Sequence, residues 1–395
     1  MNPLQALLNL SESEKQARGL THTPQETAQQ PGSWRTMYQR FLTFTTEITA
    51  YLKHAGIDGG NRFPPVVFLI GAGSSDYIGR GLALLLRRQW RTEVFAIPST
   101  DLLTNMDEFR LERDYLWISF SRSGDSREGV AVLERALQSC PKVRHLIVTC
   151  SQAGAMARRC ASSGGKAMAV VLDDAVNDRG LAMTSSFSNM VVAGHCLAHF
   201  KDLRYDEKVL ESIIGLATRF LASAAEAAYS ISQRECSDAC FIGTGALRAV
   251  TAESAMKLLE LTAGKVHSMH ESALGLRHGP MSAIDQNTLY VQFIPGDTQR
   301  RNYELDLLDE IRAKKLGKLR VAVTPRDFER LDGAADYILS LDAPADFDDN
   351  YRIPLDVILG QLLGLFASIK SGLKPDIPSP GGVINRVVSG VKIYP

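Results

Sequence analysis

The chain has 395 residues, enough for two α/β domains that each bury a core and large for one. Its 44 Lys and Arg residues equal its 44 Asp and Glu residues, and no basic tail or Arg-rich stripe breaks that balance, which argues against DNA or RNA as partners. The six cysteines, Cys140, Cys150, Cys160, Cys196, Cys236 and Cys240, form no CxxC pair and no His/Cys cluster at zinc spacing, so reduced thiols and a cytoplasmic setting are expected. The apolar run from Leu4 to Leu10 has no cationic start or cleavage site, and no stretch reads as the roughly 18 apolar residues of a membrane span.

Residues 1 to about 50 show helical spacing of Trp34, Tyr38, Phe41, Leu42 and Ile48, which predicts a helical extension. Pro65 to Ile70 is an apolar run of strand length that turns through Gly71-Ala72-Gly73-Ser74-Ser75 into a helix, Tyr77 to Trp90. This order of strand, glycine turn and helix belongs to phosphate-binding α/β units. Asp76 stands where a dinucleotide fingerprint has its third Gly, and the P-loop Lys is missing. Strands follow at 93–97 and 115–120, the second running into Ser121-Arg122-Ser123-Gly124-Asp125-Ser126 and a helix over 127–138. An N-cap with spare serines is one reading of that turn. A phosphate monoester site is the other, because one cap needs one hydroxyl and three are present beside free N–H groups. Strands at 145–149 and 167–172 complete a βα alternation and predict a parallel sheet. Thr184 and Ser185, ahead of a long apolar helix ending near Phe200, either line the same pocket or cap that helix.

The pattern then repeats. Ala239 to Gly245 echoes Phe68 to Gly73, Leu289–Ile294 echoes the third strand, Leu319–Thr324 the fourth and Tyr337–Leu341 the fifth, so two domains of one fold lie in tandem. The second copy has Pro295-Gly296-Asp297 in place of the serine turn, and phosphate is expected only in the first. Glu253, Lys257, Glu260 and Gly264 fall on one stripe of a helix that is otherwise apolar, predicting a nearly buried helix with one charged edge. The bland reading is a surface ion pair. The chemical one takes Glu260 as a base, Gly264 as a point of close backbone approach, and the Leu276-Arg277-His278-Gly279-Pro280 turn as aiming His278 at the carboxylate. His267 and His270 lack a third ligand, so no metal site is expected.

These turns, together with Thr100–Asn105, Leu259–Lys265 and Leu276–Pro280, resemble the two-domain form of the sugar isomerase (SIS) domain family over nearly the whole chain, nearest to its galactosamine-6-phosphate deaminase/isomerase branch. The resemblance implies an α/β fold of tandem SIS domains, each a parallel five-stranded, flavodoxin-like sheet flanked by helices. The expected divisions are an N-terminal helical extension at 1–50, domains at 51–205 and 206–375, and a C-terminal tail at 376–395 over the site. It puts Ser75, Ser121, Ser123 and Ser126 on the substrate phosphate, and Gly73, Ser74, Arg122, Thr184 and Ser185 complete the expected binding set. It implies Glu260 as the proton-transferring carboxylate, Lys257 beside it, and His278 as the ring-opening acid/base, donated across a homodimer or a dimer of dimers. No metal, redox cofactor, nucleic acid or membrane partner is expected. The isomerase half of glucosamine-6-phosphate synthase is a more distant relative. Its glutaminase domain has no counterpart ahead of the repeat, so no nitrogen donor is expected here, and its tail Lys is matched only by a sequence neighbour, Arg386. Two rival readings are a pure isomerase of a 2-hydroxy sugar phosphate and a non-catalytic sugar-phosphate sensor.

Overall fold

Strands that are buried on both faces read as near-continuous apolar runs, and the runs at 66–71 and 115–121 are buried at every residue, the second interrupted only by Ser119 before it ends at Ser121. The computed structural model describes residues 2–57, 60, 63–388 and 390–394. They group into two compact units, one of Gly32–Asp178, Ser185–Glu211 and Ile384–Pro395, the other of Met1–Pro31, Arg179–Thr184 and Ser212–Val383.

The first unit is built on β1 (Val66–Gly71), β2 (Val94–Pro98), β3 (Tyr115–Ser121), β4 (Val143–Thr149) and β5 (Ala167–Val171), all parallel, in the order β2-β1-β3-β4-β5. Helices Ser74–Trp90 and Arg127–Ser139 leave the carboxyl ends of β1 and β3. The helix Ser185–Ala198 is buried at every position, apolar over most of its length with Ser185, Ser186, Ser188, Asn189 and His195 buried among the apolar residues. Because the strand order reverses between β1 and β3, the carboxyl ends of these two strands splay a crevice open, the usual ligand position in such sheets.

The second unit repeats the path with β6 (Asp238–Ile242), β7 (His267–Glu271), β8 (Thr288–Phe293), β9 (Leu319–Thr324) and β10 (Tyr337–Ser340), ordered β10-β9-β8-β6-β7. The α/β fold class and the two parallel five-stranded sheets agree with the expectation. β7, the counterpart of β2, was not foreseen. Its pairing with β6, from Asp238 beside His267 to Ile242 beside Glu271, makes it a strand. His267 and His270 are three apart on that strand and so point to opposite faces.

Helix Ile353–Lys370 corrects one expectation, since it is long and apolar enough to cross a membrane. Its apolar window is 83% buried within the protein, so its composition is that of a core helix. It packs on the helix Leu247–Leu261 at very short range. A Cβ on Gly360 would stand 2.2 Å from Ser254 Oγ, and one on Gly364 would stand 2.8 Å from the Lys257 carbonyl oxygen.

The observed units do not follow the linear divisions read from the sequence. Residues 1–31 join the second unit because Asp376 accepts backbone N–H groups from Thr21 at 2.7 Å and Thr23 at 2.8 Å, and because Glu26 accepts from the N–H of Arg179. The tail divides at 383/384, its last segment belonging to the first unit.

Candidate active site

In the β1–β5 unit, the turn after β3 holds Ser121 and Ser123, whose hydroxyls donate no hydrogen bond among the described residues. Ser121 Oγ accepts the Gly124 N–H at 3.1 Å and Ser123 Oγ accepts the Asp125 N–H at 3.2 Å, which leaves both O–H groups able to donate. Gly124 sits at φ +67°, and a Cβ there would lie 3.2 Å from Thr149 Oγ1, so the turn requires glycine. Ser126 occupies the N-cap of the 127–139 helix yet makes no side-chain cap bond. The bland reading of these serines as caps therefore lacks its hydrogen bond. Across the crevice, Gly73 caps the 74–90 helix at φ 57° and ψ −129°, a conformation open to glycine, and Ser74 and Ser75 are 5% and 6% exposed. Hydroxyls, helix N-termini and the buried Arg122 together match a phosphate dianion. Next to Ser75, Asp76 is paired with Arg80 at 2.7 Å, and burial, opposed by that arginine, pushes its carboxyl upward.

The tail is tied to the same turn. Arg122 donates to the carbonyl of Arg386, Arg127 to that of Val391 at 3.0 Å, and Arg135 to that of Tyr394. Arg386 itself donates to the Asp178 carbonyl at 2.7 Å and to Asn177 Oδ1 at 2.8 Å. Thr184 and Ser185 are fully buried. Asp178 accepts the N–H groups of Ser185 at 3.0 Å and Ser186 at 2.9 Å, so a carboxylate rather than these hydroxyls caps the 185–198 helix.

In the other unit, the 247–261 helix carries Glu253, Lys257 and Glu260. Glu253 and Lys257 are 0% and 1% exposed, so the stripe is a buried seam and not the charged edge expected from spacing. The Lys257 ammonium lies 3.4 Å from Glu253 and in direct contact with Glu260, whose side chain is 26% exposed. One cation thus holds two carboxylates, and Glu260 alone of the three faces outward. Sequence reasoning left Glu253 out of the site because its burial depends on the facing helix. Gly264 is corrected too. Nothing stands within 4 Å of a Cβ there, and its glycine serves φ +77° in the turn that ends the helix. Close approach is made by Gly360 and Gly364 instead.

His278 follows the short helix Ala273–Leu276, and Gly279 at φ 124° turns the chain after it. Its neighbour Arg277 is fixed to Glu310 at 2.7 Å, while His278 is exposed. Among the described residues the imidazole has no hydrogen bond or ion pair, so the chain does not itself bond it to Glu260. No group of three or more metal-ligating side chains occurs among the described residues.

The model of the SIS domain matches residues 65–200 and 234–363. Over 377 residues the chain is 33% identical to the D-galactosamine-6-phosphate deaminase of Escherichia coli O157:H7, covering 95% of this chain and 96% of that one. It is 32% identical to the enzyme of that name from a Shewanella species, covering 98% and 95%. Among solved structures, the tagatose-6-phosphate ketose/aldose isomerase from Escherichia coli superposes with a TM-score of 0.85 at 30% identity, over 94% of this chain and 96% of that one.

Proposed function

The chain belongs to the SIS domain family and is an enzyme, and on that premise we propose that it is a deaminase with internal isomerase chemistry, converting D-galactosamine 6-phosphate to D-tagatose 6-phosphate and ammonia. The observation that carries the reading is a partly exposed Glu260 held by a buried lysine, in a chain similar from end to end to galactosamine-6-phosphate deaminases.

The hydroxyl turn of Ser121, Ser123 and Ser126, with Gly73, Ser74, Ser75 and Arg122, takes the phosphate. His278 passes the proton that opens the pyranose to the aldehyde, serving the site of a second copy. Glu260 removes the C2 proton, acidified by the C1 carbonyl, and the resulting enolamine is reprotonated at C1. That transfer leaves C1 as an alcohol and C2 as an imine, so C1 is reduced as C2 is oxidised and the electrons balance internally. Water adds at C2, the C2–N bond breaks, and ammonia leaves with the ketose. Lys257 stabilises negative charge developing on the C1 oxygen. When Glu260 takes up the proton, Lys257 keeps its pairing with Glu253, so the seam never strands a bare buried cation.

The test measures ammonia and ketose side by side on galactosamine 6-phosphate. One ammonia should appear per ketose, with solvent hydrogen at C1, and Glu260→Gln should cut the rate by about 100 to 10,000-fold. Ketose from a 2-hydroxy aldose 6-phosphate without ammonia from any amino sugar would assign the chain to simple isomerisation. Equal turnover of unphosphorylated galactosamine would remove the phosphate role.

A further inference from the structure

At the amino ends of β1, β2 and β3, opposite the crevice, lies a groove of about 1030 Å³. Phe63 stands at its lip, 80% exposed, and Phe95 on the edge strand β2 is 41% exposed, with the Arg87 guanidinium 5.8 Å from its ring centre. Leu84, one helical turn before Arg87 and 42% exposed, extends the apolar surface. Exposed aromatics flanked by arginine are the composition of interface cores.

The charges around the groove decide what fits it. Arg113 is already paired with Glu93 at 2.6 Å. Arg91 and Lys142 have no ion pair or side-chain hydrogen bond among the described residues, and neither do Glu112 and Asp114; all four are exposed and line the groove. Arg87, held by the Val94 carbonyl at 2.7 Å and the Phe95 ring, brings the lining to four cations (Arg87, Arg91, Arg113, Lys142) against three anions (Glu93, Glu112, Asp114), an excess of one charge that is a weak draw for an anionic small molecule. The two open cations and two open anions do make a surface complementary to itself, since a two-fold rotation brings each patch onto a copy of the same patch. A projecting aromatic beside a groove is likewise a knob that its own copy can receive.

We propose that this face binds a second copy of the chain in an isologous interface, Phe63 of each copy entering the groove of the other, with Arg91 and Lys142 facing Glu112 and Asp114. The face lies at the end of the sheet opposite the hydroxyl turn, so assembly through it leaves that turn uncovered.

The experiment uses the full-length protein in sedimentation velocity and light scattering over a dilution series. Phe63→Glu should weaken one assembly step by about 30-fold or more, the scale of an interface anchor, with turnover per chain unchanged. An acidic-face variant (Arg91→Glu with Lys142→Glu) and a basic-face variant (Glu112→Lys with Asp114→Lys) should each lose that step alone and regain it when mixed. The three variants change exposed side chains, and circular dichroism identifies any that fails to fold, leaving the others to decide. Wild-type assembly by the folded variants would overturn the proposal and leave the groove to a different occupant. So would a mixture of the two charge variants that stays dissociated.

Discussion

Replacing Lys257 with Met tests whether the Glu253–Lys257–Glu260 seam is a buried charge balance or an incidental contact. Met keeps the length and apolar stem of the side chain and removes the ammonium. Glu253 is fully buried and 3.4 Å from that ammonium, and at an effective dielectric near 20 the lost attraction is about 5 kcal/mol. Part of this returns through protonation of Glu253, so a net destabilisation of about 3 to 5 kcal/mol is expected. Glu253→Gln alone should also destabilise, while the double variant, which removes both charges, should recover most of the loss. Denaturant unfolding separates the units, because Trp34, Trp90 and Trp117 all lie in the β1–β5 unit while the seam lies in the other. Fluorescence follows the unit without the seam, and far-ultraviolet circular dichroism follows both. A Lys257→Met protein within about 1 kcal/mol of wild type, or a double variant no better than the single one, would refute the charge-balance reasoning.

Asp206 is 2% exposed in the β1–β5 unit, and burial, partly opposed by a hydrogen bond from Cys196, pushes its carboxyl up to about 7. The folded chain therefore keeps a proton that the unfolded chain releases near pH 4, and stability falls as pH rises between those values, by roughly 4 kcal/mol at most. Asp206→Asn should erase that slope in fluorescence-detected unfolding at pH 4.5, 6 and 8; an unchanged slope refutes it. If His278 serves the other copy, mixing inactive His278→Asn and Glu260→Gln chains with subunit exchange should restore about a quarter of wild-type activity, since half the dimers are mixed and each has one intact site. No restoration after verified exchange would place His278 in its own chain's site.

What was legible in the sequence follows the burial of each element. β1 and β3 read clearly because a parallel strand covered on both faces is a near-continuous apolar run, broken in β3 only by Ser119 before its terminal Ser121, and each ends in glycine and serine turns whose chemistry is local. β7 did not read as a strand because His267-Ser268-Met269-His270-Glu271 is a polar edge strand, held in place by the register of β6. The burial of Lys257 was illegible for another reason. Helical spacing groups Lys257 with Glu253 and Glu260, but what covers the seam depends on Gly360 and Gly364, about a hundred positions further along the sequence. Thr184 and Ser185 show the same limit, since Asp178 takes the capping role that their hydroxyl groups advertise.

The duplicated sheet places a crevice at the carboxyl ends of the strands in both copies, and among the described residues the two differ in what they offer an anion. At the carboxyl end of β3 the hydroxyls of Ser121 and Ser123 accept backbone N–H groups and keep their own protons to give. Near the carboxyl ends of β6 and β8, the corresponding donors are spent on the protein's own carboxylates. Thr244 donates to Glu304, and Gln292 Nε2 donates to it at 2.6 Å while Gln292 Oε1 accepts from the Tyr290 hydroxyl at 2.8 Å. The Gly296 N–H goes to Asp349 at 2.7 Å, and the buried Arg352 is taken by Asp349 at 3.1 Å and Asp356 at 2.9 Å. Glu304 is fully buried, and desolvation, against the Thr244 and Gln292 bonds, raises it to about 7. An incoming phosphate would have to displace Glu304 or lie against it, at a cost of several kcal/mol for the stranded charge. Strand order places a crevice in both copies; whether the crevice binds an anion depends on which donors the surrounding side chains leave unspent.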